Sequence, residues 1–436
     1  MKKIVYAVLL LTTPLYAHSE FYECCTLDQK IEVASIEPTI ESYSGKSTAV
    51  IDKYIIEEYK PIKLIDAIVN VPGIVTKNIT GLGSVRIRGA RSFDTKYLYD
   101  GFPHKDPSHP QGSFGSFLGD TLTFENEIQI LKGAGSTLYG SDAIGGAIDI
   151  VPVKHNRMTF RTEYGSRQTF YNSFDSDMVS AAYSDSIDGE TANLRISNDF
   201  DVVKPFFIYQ MADAPLHNSP IIEKEVRIAD IRDENDRRET TYWQGGLKFE
   251  NEPFTAKVSY ADSSRRFVFL PNSDGTGFFS DGFFNGQSVF SDIHVKILGT
   301  TLGYSYQRDF MEIEVIPDSD TTDVYQNDLY IEKKFHLDNL DVLLGSRYSI
   351  HEFSKDRPVY DVSAAYKLPY DFKLRSHYAT GFRSPSLYEL HGAFLTRFGR
   401  FEVGNPELSP ERATSFDIGL EIQIGDNITT GVTFFR

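Results

Sequence analysis

The sequence predicts a mainly β protein: a small N-terminal α+β unit followed by a long transmembrane antiparallel β-barrel. Three observations carry this. Aromatics make up 13% of the 436 residues, with 32 Phe and 25 Tyr against one Trp, and rings at this level suit strands and the girdles of a barrel. From residue 158 onward, apolar and polar residues alternate in segments of roughly ten residues, the period of a strand and the length of a tilted span. Connections between these segments are short and long in turn. No run of about 18 apolar residues occurs, so no helix is expected to cross a bilayer. Lys+Arg 44 against Asp+Glu 61 leaves a net charge of -17, the wrong sign for a nucleic-acid partner.

Residues 1–17 open the chain. Lys2 and Lys3, the apolar run Ile4 to Leu11, and Thr12 to Ala17 follow the order of a secretory signal peptide cut after Ala17. Export implies an oxidising compartment, yet Cys24 and Cys25 are adjacent, and a bridge between them would be strained. Residues 18–50 are polar, without strong periodicity, and read as a loosely ordered arm.

Residues 51–153 read as the α+β unit. Leu64, Ile65, Ala67, Ile68 and Val69 form a short helical run stopped by Pro72-Gly73. Ser84 to Gly89 is a strand, Lys96 to Tyr99 another, turned at Asp100-Gly101, and Glu127 to Leu131 a third. Leu138 to Ile150 follows a glycine-rich stretch whose residues permit tight turns and close backbone packing. This order of pieces resembles the plug domain of TonB-dependent outer-membrane receptors. Ala134, where that family usually has Pro, and Asp149, where Asn is commoner, depart from the pattern without changing its backbone logic.

Residues 158–436 read as the barrel. Phe416, Ile418, Leu420, Ile422 and Ile424 make one apolar face against Ser415, Asp417, Gly419, Glu421 and Gln423. Val362 to Leu368 and Phe254 to Tyr260 repeat the pattern. A soluble sandwich alternates as well, so the connections decide. Short turns are expected at Ile187-Asp188-Gly189, Asn251-Glu252-Pro253, Asp338-Asn339-Leu340, Pro369-Tyr370-Asp371 and Gly425-Asp426-Asn427, and long loops at 201–239, 270–292 and 382–413. Tyr378 to Leu390 and Gly404 to Glu411 resemble barrel-and-loop signatures of the same receptors. The alternation rule counts about 13 strands; the resemblance implies about 22, so a fragment or truncated product is expected.

Enzyme signatures fail one by one. No G-x-S-x-G occurs, position 40 is Ile where a phosphate loop before Gly45-Lys46-Ser47 needs Gly, and His351-Glu352 lacks the second His of a zinc protease. The protein is read as a non-enzyme with no cofactor and no resident metal. Three candidate sites remain. Ile31, Glu32, Val33, Ala34 and Ser35 resemble the box that recruits TonB, which would act by strand addition to a periplasmic partner; an ordinary linker is the plain alternative. Arg86, Arg88 and Arg91 are placed to pair with carboxylates on the barrel's wet face, such as Asp417 and Glu421. Phe102, His104, His109 and Phe114 are candidate ligand contacts, because the resemblance places this loop at the outward-facing apex of the plug. Phe278, Phe279, Phe283, Phe284 and Phe290 would add rings from a neighbouring loop.

The resemblance implies a TonB-dependent receptor in the outer membrane of a Gram-negative cell, its arm in the periplasm. Its partners would be TonB with its inner-membrane energising complex, outer-membrane lipid, and a metal chelate: a ferric siderophore first, with cobalamin as the alternative. A passive or adhesive barrel is the reading from another class, and a decayed receptor gene a third; the segment 60–150 separates the first from the second.

Overall fold

The structure is a computed structural model and describes residues 30–36, 39–40, 44–79, 82–109, 126–153, 157–186, 189–215, 237–269, 280–314, 322–353, 356–395, 401–425 and 428–436. The signal segment, Cys24, Cys25 and Phe114 lie outside these residues.

The N-terminal segment carries β1 (Lys30–Ile31) paired antiparallel with β2 (Thr39–Ile40). The α+β unit follows with β3 (Thr48–Ile51), α1 (Lys53–Tyr59), α2 (Leu64–Ile68), the hairpin β4 (Ile74–Ile79) and β5 (Leu82–Ile87), then β6 (Thr95–Tyr99), β7 (Phe102–Pro103), β8 (Asn126–Lys132), α3 (Ser136–Tyr139) and β9 (Gly146–Pro152). Asp52 caps α1 by accepting the Ile55 N–H at 2.9 Å, and Lys60 ends it in a left-handed conformation. α2 buries Leu64, Ile65 and Ile68, as its spacing predicts, and stops before Gly73. The sheet order is β3-β8-β9-β6-β7, with β6 and β9 parallel. Gly146 turns into β9 at φ +145, and a Cβ there would lie 2.1 Å from the Leu131 carbonyl, so the close approach requires glycine. Ile51, Ile56, Leu64, Ile68, Val85, Ile87, Ile128, Ile130 and Ile148 pack as one core.

Among the described residues, fifteen strands form one antiparallel sheet. They are β10 (Thr159–Tyr164), β11 (Phe170–Asp175), β12 (Val179–Ser186), β13 (Gly189–Ser197), β14 (Val203–Pro215), β15 (Arg237–Asn251), β16 (Phe254–Phe269), β17 (Ser280–Ile297), β18 (Thr300–Glu314), β19 (Thr322–Leu337), β20 (Leu340–His351), β21 (Arg357–Leu368) and β22 (Phe372–Arg383). The connection after β22 holds α4 (Leu387–His391) and the small hairpin β23 (Ala393–Leu395) and β24 (Phe401–Val403). β25 (Glu411–Ile424) and β26 (Ile428–Phe435) complete the sheet. Strands β15 to β19 run 15 to 18 residues, longer than a bare span needs, so they extend beyond the hydrocarbon layer.

The polarity is inside out. On β25, Asp417 is fully buried while Phe416, Ile418 and Leu420 are exposed; on β21, Asp361 is buried while Tyr360 and Val362 are exposed. A soluble sandwich buries its apolar face, whereas a lipid-facing barrel displays it. The sheet wraps the α+β unit. Arg161 on β10 donates to the Lys60 carbonyl, and Arg88 lies over the Phe435 ring on β26, 4.6 Å from its centre.

Four expectations are corrected. Among the described residues the sheet holds fifteen strands rather than about 13. β14 lies inside the expected loop 201–239, because its Phe206-Phe207-Ile208-Tyr209 run after Pro205 hides the alternation. β17 begins at Ser280, so Phe283, Phe284 and Phe290 are strand residues; Phe284 is packed with Met311, Val324 and Leu387. The close of the β12–β13 pair, Ser186 opposite Gly189, lies at the same end as the long connections, since each successive antiparallel connection changes end. The turns at Asn251-Glu252-Pro253, Asp338-Asn339-Leu340 and Pro369-Tyr370-Asp371 lie together at the opposite end.

Candidate functional site

The expected TonB-box residues are docked inside the barrel. Ile31 and Val33 are fully buried, and Ala34 and Ser35 nearly so. Val33 packs with Leu98, Leu131, Leu138 and Ala147 of the α+β unit. The Gln129 side-chain oxygen accepts the backbone N–H of Glu32 at 2.6 Å and of Val33 at 3.1 Å. Tyr139 donates its hydroxyl to the Val33 carbonyl at 3.0 Å. Lys46 sits 2.7 Å from Asp361 of β21, both buried. The expected loosely ordered arm is therefore corrected for residues 30–36 and 44–50. Its apolar side chains find a pocket, and Gln129 and Tyr139 satisfy backbone groups that water would otherwise hold.

The arginines divide. Arg88 donates to Asp417 at 3.2 Å and to the Lys132 carbonyl at 3.0 Å. Arg91 holds Asp94 at 2.9 Å and also reaches Glu411. Arg86 is exposed and makes no ion pair among the described residues. Glu421 binds Lys373 and Arg375 within the wall instead of an arginine of the inner unit. Other tethers were not singled out from the sequence. Lys105 pairs with Asp309 at 2.9 Å, and Arg265 with Asp106 at 3.0 Å, both side chains of the latter pair wholly buried. These wall charges occupy inward positions of their strands, which alternation can find; their partners it cannot.

The ligand-contact candidates separate along the loop. Phe102 is fully buried between Phe206 and Phe290, 4.5 and 6.5 Å between ring centres. His104 is buried, hydrogen-bonded to Gln210 at 2.8 Å and edge-on to Tyr242. Burial pushes its imidazole down to about 3, so it is neutral. Both are wall-packing residues, which corrects their placement at an outward apex. The apolar Phe102 ring is more stable in the packed seam than in water. His109 is half-buried at the end of the described loop. Asp106 is committed to Arg265, Ser263 and Ser108, and no metal-holding cluster occurs among the described residues.

Two glycine-bearing stretches meet. The Ser136 hydroxyl of α3 bonds the Phe382 backbone, accepting its N–H at 3.1 Å, and Ser384 donates its N–H to Ser141 at 2.9 Å. Arg347 donates to the Thr137 carbonyl at 2.9 Å. Gly345 leaves the notch for Thr137: a Cβ there would lie 2.9 Å from the Thr137 methyl.

A family model described as "TonB dependent receptor-like, beta-barrel" matches residues 87–436. The vitamin B12 transporter BtuB of Vibrio vulnificus is 24% identical over 454 residues, spanning 94% of this chain and 70% of that protein. The iron-regulated outer membrane virulence protein of Vibrio cholerae is 32% identical over 112 residues, 25% of this chain and 17% of that protein. A point mutant of the ferric enterobactin receptor PfeA from Pseudomonas aeruginosa superposes with a TM-score of 0.66 at 14% identity, covering 89% of this chain and 70% of that one. The siderophore receptor PirA from Acinetobacter baumannii gives 0.65 at 17%, with the same coverage. These structural likenesses carry the fold.

Proposed function

The chain belongs to the TonB-dependent receptor family, and from that premise we propose that it takes up a metal chelate, a ferric siderophore in the first instance, across the outer membrane at TonB's expense. The observation that carries this reading is the docked segment. The backbone groups of Glu32 and Val33 held by Gln129 and Tyr139 are those a strand-adding partner needs. A pull on Ile31 to Ser35 acts directly on β8 and α3 of the plug. A passive pore has no use for a lumen filled by such a unit. The ligand enters at the long-loop end, the short turns facing the periplasm, and no covalent chemistry is done on it. A second reading, cobalamin, is favoured by the vitamin B12 transporter that aligns over 94% of this chain.

The test is uptake of radiolabelled ferric siderophores and cyanocobalamin by receptor-deficient cells carrying this protein, with and without TonB. Accumulation of one chelate only when TonB is present supports the proposal. Equal accumulation in both strains makes the protein a passive pore.

A further inference from the structure

Three cavities lie end to end along one side of the plug. The outermost, about 30 Å³, lies between Lys105 and Asp142 of the plug and the β18–β19 wall. The middle one, about 120 Å³, shares Lys96, Gln307 and Gln326 with it and reaches down to Lys257. The third, about 230 Å³, lies beside the short turn at Ser197 and Asn198 and shares Glu32, Lys248 and Glu250 with the middle one. Lys248 stands 2.9 Å from Glu250 and 3.6 Å from Asp100 of the plug. What separates the middle cavity from the periplasmic one is therefore this ion-paired set and the side chain of Glu32. Ser35 and Ile36 of the docked segment line the middle cavity too. The plug is tied to the wall on both sides of this line, through Ser136, Thr137 and Arg88 toward β20–β25 and through Lys105 and Asp106 toward β18 and β16.

We propose that these cavities are one route for water along the β15–β19 side of the plug, and that the docked segment Glu32 to Ile36 is its periplasmic stopper. The lining carries both charge signs, Lys96, Lys248 and Lys257 against Asp149, Asp292 and Asp328, which suits water, ions and small polar solutes rather than apolar ones. The cavities are smaller than the usual pocket for a bound ligand, so withdrawal of the segment first admits water, and water lowers the cost of breaking the buried ion pairs that hold the plug to this wall. The same strand of chain that a partner pulls is thus the element that wets the interface. This inference rests on the reading that the segment is pulled by TonB.

The experiment is cysteine accessibility in the full chain, with Cys24 and Cys25 replaced by Ser. Single cysteines are placed on the route, Ser305→Cys and Gln326→Cys, and off it, Ala379→Cys on the inner face of β22. Each is reacted with a small cationic thiosulfonate, with the segment intact and with Ile31 to Ser35 deleted. Deletion is expected to speed labelling at the two route positions about tenfold or more and to leave Ala379→Cys unchanged. No change at the route positions overturns the proposal, and so does an equal rise at Ala379→Cys, which would mean general loosening of the plug. If the deletion variant loses heat-modifiable folding, Glu32→Ala serves instead, with a smaller rise expected at the same two positions and none overturning it. Loss of uptake on deletion without a change in labelling defeats the route and leaves the transport reading standing. Uptake that survives deletion defeats that reading.

Discussion

The side-chain oxygen of Gln129 accepts the backbone N–H of Val33 at 3.1 Å while also holding that of Glu32. One carboxamide thus occupies two donors that strand addition requires. Gln129→Leu keeps the volume and removes the acceptor, at a cost of about 1–3 kcal/mol for the stranded buried donors. Amide exchange over residues 30–36 should rise at least severalfold, and a TonB periplasmic fragment should bind without ligand. Unchanged exchange would mean that the apolar pocket alone holds the segment.

Asp149 should make the stability of the β8–β9 pair pH-dependent. Burial raises its carboxyl to about 7, with Asp100 and Glu32 adding repulsion and the Gly101 N–H and Lys257 opposing it. A carboxyl raised in the folded state binds its proton more tightly there. Its stabilising effect is complete below about pH 4 and is lost as pH rises through about 7. Protection of β8 and β9 amides, corrected for intrinsic exchange, should fall from pH 5 to pH 8. Asp149→Asn should flatten that profile; an unaltered slope in the variant would assign it to another group.

The pair of Asp106 and Arg265 is buried on both sides. Asp106→Asn leaves the guanidinium without a counter-charge, and breaking such a pair costs about 3–5 kcal/mol. Denaturant-dependent exchange over residues 98–109 should register the loss. Asp106→Leu combined with Arg265→Met should recover most of it, since two apolar groups leave no charge stranded.

Gly345→Val drives a side chain into Thr137, whose methyl is 2.9 Å from the added Cβ, at about 1–3 kcal/mol. Exchange over residues 134–141 should quicken while strands β10 to β14 stay unchanged. Gly165→Ala, whose nearest neighbour is 3.7 Å away, is the control and should alter neither region.

Local periodicity made much of the architecture readable. The helix at Leu64–Ile68, the turn at Asp100-Gly101 and the outward face of β25 follow from residues within one window. β14 escaped because Pro205 and four consecutive apolar or aromatic residues mask its alternation. The site was less readable. Ile31 to Ser35 carry a strand-like pattern, but nothing local tells a free strand from one held by Gln129, 96 residues away from Val33. Arg88 found Asp417 because both stand on wet faces. Phe102 and His104 look exposed in a proline-rich loop and are buried because Phe206, Phe290 and Tyr242 close over them, contacts between strands that no spacing records.

The central claim, that a chelate crosses because the N-terminal segment is pulled, is tested most directly by comparing chelate binding and chelate uptake in cells carrying the protein with and without Ile31 to Ser35. The account predicts that surface binding persists and uptake falls to the level of cells lacking TonB. Uptake that continues at the original rate without those five residues would contradict it.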